Sequence, residues 1–560
     1  MKSNLPSVKS ESFNKMLEES FRRNWDNQAL SDYGCKTICY KDLAKEIAQL
    51  HMVFESCGVC KGDKIAICSK NQINWAVAFL SIITYGAVAV PILHEFKPAN
   101  ISHLVTHSES KVLFIGERIW DKVCEMELPL TEAVVTLENF DVVRAKSPGP
   151  AQTRKDIGQI FAARYSKGFH KENISYYEDR PEELALINYT SGTSGFSKGV
   201  MLPYRSLYSN VRFASEVEPQ MSSSSKMLSM LPTAHMYGMV FDFLYEMALG
   251  AHVYFLTRLP SPPVLLEALG SIKPDAVVAV PMIIEKIYKK MLLPFISKTS
   301  IKLLLNLPVL DQMVKNKILS TLIQAFGGNF SEVIVGGAAF NREAEAFLRR
   351  INFPFTIGYG MTECGPIITY APWNKTKLYS CGKAAPRMKV KISSSDPENV
   401  PGEVLVKGDN LFLGYYKNEE ATAEALDSDG WFHTGDLGVM DKDGYLYLKG
   451  RCKSMILGPS GQNVYPEEIE SVLNNMAYVV ESLVIEDNGK LVALIFPDFE
   501  QAEKDSLSQD ALLEKLKEEM KIANLELPEF CKLASVEIFP EEFEKTPKRS
   551  IKRFLYQRSK

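Results

Sequence analysis

Cysteine is scarce in this chain. Ten in 560 residues, irregularly placed, exclude a disulfide framework and point to a reducing, cytoplasmic compartment. Cys57 and Cys60 form a lone pair with no second half, which does not make a zinc site. Neither sign of charge is in excess: 64 Lys and Arg against 68 Asp and Glu leave a formal charge of −4, so nothing suggests a nucleic-acid partner. No signal peptide is read at the start, since residues 1–25 are polar and mixed in charge. One apolar run, residues 75–93, is long enough to span a bilayer. Gly86 and Pro91 interrupt it and it ends in a Val-rich string, so a buried helix running into a strand at 87–90 is expected instead. What is left is an ordinary soluble composition, 46% apolar and 24% charged, and a length that implies two or more domains.

The chain does have a dense run of small polar residues: Thr190, Ser191, Gly192, Thr193, Ser194 and Gly195, with Lys198 and Gly199 following. It comes directly after an apolar stretch, residues 184–189, that reads as a buried strand. Such residues cannot build a core, but they can wrap a phosphate. Their backbone N–H groups approach an anion closely, the hydroxyls donate, and Lys198 adds a positive charge. The spacing is not that of a Walker A loop. A flexible Gly/Ser loop would have the same composition.

Upstream, strands and helices alternate. Residues 11–56 predict an amphipathic helix bearing Phe13, Met16, Leu17 and Phe21, a short strand pair near 37–40, and a helix from Tyr40. Strands follow at 62–68, 88–91, 112–115 and 133–136, which argues a parallel sheet covered on both faces. Residues 145–182 break the pattern and predict a surface excursion. Beyond the polar run come a helix at 204–213, a strand at 228–232 leading to His235, and a strand at 275–281. Residues 282–325 predict a long helical stretch. Its leucine-rich middle, 301–307, is amphipathic enough to line a tunnel or touch a membrane surface, or to be a solvated excursion. Two strand-then-glycine turns follow, one with Gly336, Gly337 and Ala338, the other with Gly358, Tyr359, Gly360, Thr362 and Glu363. Both look like strand ends where ligands sit in open α/β sheets. Residues 382–450 turn to short alternating strands, a small β-barrel or distorted antiparallel sheet, and the rest alternates helix and strand.

The polar run closely resembles the phosphate-binding signature of adenylate-forming enzymes, the superfamily of acyl-CoA synthetases, peptide-synthetase adenylation domains and luciferases. Residues 359–363 match its Tyr-Gly-x-Thr-Glu motif. Residues 429–436, Asp-Gly-Trp-Phe-His-Thr-Gly-Asp, are similar to the string of fatty acyl-CoA synthetases, and the whole looks like the bacterial long-chain type. The resemblance implies an α/β fold: a large N-terminal domain, residues 1–450, of two α/β subdomains plus a small β-barrel, then a mobile α+β lid, residues 451–560. It implies that Thr190, Ser191, Gly192, Thr193, Ser194, Gly195 and Lys198 hold the phosphates of ATP, and that Glu363, with Thr190, ligates Mg²⁺. Gly336, Gly337, Ala338, Gly358, Tyr359, Gly360 and Thr362 are expected around the nucleotide, with Tyr359 stacking on adenine. Asp436 is expected on the ribose hydroxyls, Arg451 on ribose or phosphate, and His235 beside the acyl and nucleotide sites.

The C-terminus departs from the pattern. Long-chain members place a lysine on the lid that reaches the α-phosphate; here that position holds Ser550. A serine cannot neutralise charge on phosphorus. Lys548 shares a face with Ser550 in an extended segment and is the expected replacement, with Lys552 second. The resemblance implies that a fatty carboxylate attacks ATP to give acyl-adenylate and pyrophosphate, after which coenzyme A takes the acyl group, with Lys198, His235, Glu363 and Lys548 as catalytic residues. Two sibling activities use the same chemistry: transfer to an acyl carrier protein, or release of acyl-adenylate. The latter goes with an insertion that is not seen between Asp436 and Pro466. A degenerate nucleotide- or acyl-binding protein is the reading from a different class, motivated by Ser550 and opposed by retention of Lys198, Glu363, Asp436 and Arg451. An apolar substrate makes peripheral contact with the inner membrane face reasonable.

Overall fold

Ser12 opens the first helix, Phe13–Arg23, because its hydroxyl accepts the N–H of Lys15 and the helix buries Phe13, Met16, Leu17 and Phe21 along one face. The computed structural model describes residues 4–6, 11–190, 197–258, 261–296, 298, 308–457, 462–546 and 551–558. The Asp179 carboxylate completes the cap, accepting the Ser12 hydroxyl at 2.6 Å and the N–H groups of Phe13 and Asn14. The surface excursion expected over residues 145–182 is therefore only half of the story. It forms the helices Gly149–Lys155 and Ile157–Arg164, and its far end sends a buried carboxylate into the N-terminal helix, where orphan amides attract it.

The main sheet has eight strands in the order Gly414–Tyr415, Lys198–Pro203, Leu184–Thr190, Val88–Ile92, Lys64–Cys68, Ser110–Ile115, Ala133–Thr136 and Val142–Ala145. The run from Leu184–Thr190 to Ala133–Thr136 is parallel, and antiparallel strands border it on both sides. Its middle strands are buried on both faces, as continuous Val, Ile and Ala runs require. The long apolar run resolves into the helix Ile73–Tyr85, capped by Gly86 at φ +87°, and the strand Val88–Ile92. Among the described residues no helix is long and apolar enough to cross a membrane.

Two further sheets complete the α/β part: a four-stranded one containing Gln28–Asp32 and His252–Phe255, and a parallel one of Val277–Ala279, Val333–Val335 and Phe355–Ile357. The helical stretch that follows residue 281 is described at Pro281–Ile287, Tyr288–Leu292, Leu293–Ile296 and Pro308–Ala325; its leucine-rich middle, 301–307, lies outside the described residues. The small β unit consists of an antiparallel three-stranded sheet from Tyr359–Gly360 to Lys383–Ala384 and a four-stranded one from Met388–Ser393 to Leu446–Arg451. The main core draws on residues from Phe13 to Leu446. A second core begins at Val464 and packs the helices Pro466–Leu473 and Gln509–Glu526 on the sheet Val479–Asp487, Lys490–Pro497 and Ser535–Ile538. The fold is mixed α/β, with a large N-terminal and a smaller C-terminal domain.

Candidate active site

Strand Leu184–Thr190 and its antiparallel neighbour Lys198–Pro203 form a hairpin that brings Thr190 opposite Lys198. The Thr190 hydroxyl donates to the Lys198 carbonyl at 3.4 Å, closing the two ends of the Gly/Ser run. Ser191, Gly192, Thr193, Ser194 and Gly195 themselves lie outside the described residues. Lys198 is the first residue of a strand, and its ammonium sits 4.7 Å from the centre of the Tyr415 ring.

The turn after Phe355–Ile357 reaches the same place from the other side. The Gly358 N–H still donates to the Val335 carbonyl at 2.9 Å. The chain then leaves the parallel sheet, and Tyr359 and Gly360 pair antiparallel with Thr369 and Ile367. Gly360 is obligatory here, because a Cβ would lie 2.2 Å from the backbone oxygen of Pro366. Thr362 and Glu363 are buried in a short 3₁₀ turn, Thr362–Cys364. Glu363 Oε1 accepts the Tyr415 hydroxyl at 3.0 Å. Gly337, at φ +89°, and Ala338 are exposed at the carboxyl end of Val333–Val335, one strand away, and the Gly336 N–H donates to Ala279.

Asp436 lies on the strand Phe432–Met440, directly opposite Arg451 on Leu446–Arg451. Its Oδ2 accepts the Tyr359 hydroxyl at 2.7 Å, and Arg451 Nε stands 3.2 Å from Oδ1. Burial raises the Asp436 carboxyl above its ordinary range, opposed by the Arg451 charge and the Tyr359 hydrogen bond. Burial, reinforced by the Asp436 charge, holds the Tyr359 phenol firmly protonated. The turn before Asp436 is fixed by Glu403, which accepts the Gly435 N–H at 3.0 Å and pairs with His433 at 2.8 Å. The segment 359–363 therefore touches the edge strand beside the Leu184–Thr190 hairpin, through Glu363 and Tyr415, and Asp436, through Tyr359.

His235 is half-buried and precedes the helix Met236–Met239, which continues through a π turn, Val240–Leu244. Two contacts tie its loop to the rest. The Asn188 side chain, two residues before Thr190, donates to the Ala234 carbonyl at 2.8 Å, and the Tyr237 hydroxyl donates to Ile334 at 3.0 Å beside Gly336. Lys548 and Ser550 lie outside the described residues. On either side of them, Lys545 and Ile551 form an antiparallel bridge, and Lys552 pairs with Glu544. Tyr415, Asn188, Glu403 and Tyr237 are the residues that sequence reasoning missed. Only the glycine-aromatic pair Gly414 and Tyr415 left any mark in the sequence, and it was not distinguishable there from an ordinary turn.

The sequence profile described as AMP-binding enzyme matches residues 17–416, well over half the chain. The chain belongs to the AMP-binding enzyme family. Residues 453–558 match the profile of the family's C-terminal domain. Long-chain-fatty-acid–CoA ligase FadD15 of Mycobacterium bovis is 27% identical, spanning 94% of this chain and 91% of that protein. The long-chain-fatty-acid–CoA ligase of Escherichia coli is 28% identical over 82% of this chain and 80% of its own. Among solved structures, ATP-bound MatB from Rhodopseudomonas palustris has the same fold, with a TM-score of 0.75 at 21% identity over 97% of this chain and 98% of that one. A Mycobacterium tuberculosis fatty acyl CoA synthetase gives 0.65 at 21% identity, over 98% of each chain.

Proposed function

We propose that this protein activates a long-chain fatty acid with ATP and passes the acyl group to the thiol of coenzyme A, releasing AMP and pyrophosphate. The observation that carries the reading is the order of contacts along residues 359–363: the ribose-type carboxylate Asp436 at one end, the buried Glu363 and the phosphate hairpin at the other. That order follows the order of groups in a nucleoside triphosphate. Relatives named long-chain-fatty-acid–CoA ligase, alike over most of both chains, support the choice of acid and acceptor.

In the first half-reaction the fatty carboxylate attacks the α-phosphorus and the bond to pyrophosphate breaks. Thr190, Ser191, Gly192, Thr193, Ser194, Gly195 and Lys198 would hold the phosphates. Asp436 accepts the ribose hydroxyls, while Arg451 opposes its neutralisation by burial. Gly336, Gly337, Ala338, Gly358, Tyr359, Gly360 and Thr362 border the base. His235, held near the hairpin through Asn188, borders the acyl group, and Lys548 carries the lid's charge. Glu363 and Thr190 would hold Mg²⁺. Among the described residues no three His, Cys, Asp or Glu side chains gather into a cage. One carboxylate and a hydroxyl completed by phosphate oxygens is a donor set this ion favours. When bound it neutralises phosphate charge, so that two anions can meet.

In the second half-reaction the thiol attacks the acyl carbonyl and AMP leaves with the bonding electrons. We place the domain boundary at residues 450 and 451, between the two cores, as the hinge on which residues 451–560 turn between half-reactions. The substrate's chemistry fits a cytoplasmic enzyme in peripheral contact with the inner membrane face. Product analysis with oleate, ATP and Mg²⁺, offering coenzyme A or an acyl carrier protein, tests the reading. Equal amounts of oleoyl-CoA and AMP are expected; an acyl carrier thioester alone, or stalled acyl-adenylate with both acceptors, would overturn it.

A further inference from the structure

Tyr415 has no part in the roles assigned above, yet it is the side chain through which Lys198 and Glu363 meet. Its strand, Gly414–Tyr415, is only two residues long and adds to the sheet edge beside Lys198–Pro203, with Tyr415 opposite Val200. Gly414 makes the approach possible: at φ +137°, a Cβ there would come within 2.7 Å of Thr422 Cγ2. Thr422 in turn accepts the Tyr415 N–H at 2.9 Å, and the Tyr416 N–H donates to the Gly199 carbonyl at 2.7 Å. The Phe412 ring meets that of Tyr415 edge-on at 5.0 Å, and the Phe412 N–H donates to the Glu363 carbonyl. The ring is thus fixed by backbone on both sides and by packing, and it is buried.

An ammonium and a carboxylate that contact the same side chain would pair directly wherever the two could close on each other. Such a pair would turn the lysine's donors away from a phosphate and occupy the carboxylate oxygens that a cation needs. The Tyr415 side chain engages each of them separately. Its face takes the ammonium at 4.7 Å, an attraction that uses no N–H donor for an anion, and its hydroxyl engages Glu363 Oε1.

We propose that Tyr415 is a positioning residue whose ring keeps Lys198 and Glu363 from pairing and whose hydroxyl orients Glu363 toward a divalent cation. This rests on the reading of Lys198 as a phosphate contact and Glu363 as a metal ligand. The two functions of the side chain separate by substitution. Tyr415→Phe keeps the ring and its packing but removes the hydroxyl. Tyr415→Leu removes the spacer, so that Lys198 can close on Glu363.

The test is ATP binding by the full-length protein with EDTA and with Mn²⁺, the bound Mn²⁺ read by electron paramagnetic resonance. Tyr415→Phe is expected to weaken Mn²⁺ binding in the ATP complex about ten- to a hundredfold, the size of one lost hydrogen bond to a charged group, with metal-free ATP affinity within about twofold of wild type. Tyr415→Leu is expected to weaken metal-free ATP binding as well, and adding Glu363→Gln to it should restore that binding by releasing Lys198. A general packing defect would not be rescued this way. Tyr415→Phe with an unchanged Mn²⁺ titration, or with both titrations weakened alike, overturns the proposal, as does absence of the rescue. A wild-type protein whose ATP complex binds no Mn²⁺ would fail differently, removing the metal role of Glu363 and this inference with it.

Discussion

Replacing Tyr359 by phenylalanine isolates one hydrogen bond, the 2.7 Å contact from its hydroxyl to Asp436 Oδ2, in a place where both partners are buried. A hydrogen bond to an ionised group stabilises by roughly 1.5–3 kcal/mol and one to a neutral group by roughly 0.5–1.5 kcal/mol. Losing the donor therefore disfavours ionised Asp436 over protonated Asp436 by about 1 kcal/mol, or somewhat under one pH unit at about 1.4 kcal/mol per unit. Arg451 cannot make up the difference, because its side chain is 60% exposed and its charge is screened by water. Burial already lifts the Asp436 carboxyl above the ordinary 3.8. A carboxyl raised in the folded state leaves stability highest below its unfolded value and lowers it as pH rises through the folded value. Ionised Asp436 thus destabilises the fold at neutral pH, and Tyr359→Phe enlarges that effect there, whereas below about pH 4 it removes only the weaker hydrogen bond to the neutral carboxyl. On the proposed role of Asp436, nucleotide binding has the opposite slope, because ribose hydroxyls would need the ionised acceptor. AMP affinity measured by calorimetry across the acid range should fall on acidification in both proteins. In Tyr359→Phe the fall should begin about one unit higher. Superimposable profiles would refute the reasoning that this hydroxyl holds Asp436 ionised.

Gly360→Ala would drive a Cβ to within 2.2 Å of the Pro366 oxygen, backbone that cannot step aside, so a loss of about 1–3 kcal/mol is expected as a lower melting temperature; a variant melting with wild type would show that the turn yields. Asn188→Ala removes the buried donor to the Ala234 carbonyl, at about 1–3 kcal/mol, and should lower kcat through the His235 loop while leaving the KM for ATP nearly unchanged. A rise in KM without a change in kcat would place Asn188 with the nucleotide instead. Lys548→Ala is expected to slow adenylation at least about a hundredfold, on the order of several kcal/mol, and to spare thioester formation from preformed acyl-adenylate. Adenylation at the wild-type rate would remove Lys548 from the mechanism.

Much of the sheet was legible because burial on both faces leaves long runs of Val, Ile and Ala, and because Gly86 marks where helix gives way to strand. The segment 355–363 was legible for another reason: Gly360 is dictated by a backbone contact, so the glycine is a direct trace of geometry. Tyr415 was not, because its role arises from edge pairing with a strand more than two hundred residues earlier, and nothing local distinguishes it from Tyr416. Asp179 escaped for a similar reason, since a carboxylate among charged and turn residues reads as surface until the amides of a distant helix close on it. Lys198 was read within the loop, whereas strand pairing with Thr190 makes it the first residue of the return strand.

Carboxylate-dependent ATP–pyrophosphate exchange by the purified protein, across acids from acetate to oleate, tests the central claim most directly. It reports the first half-reaction alone and does not depend on the acceptor. Exchange that rises with chain length is the predicted result, and it would establish adenylation with Ser550 in the lid position. No exchange with any acid, alongside intact ATP binding, would contradict the account and leave a protein that binds the nucleotide without activating a carboxylate.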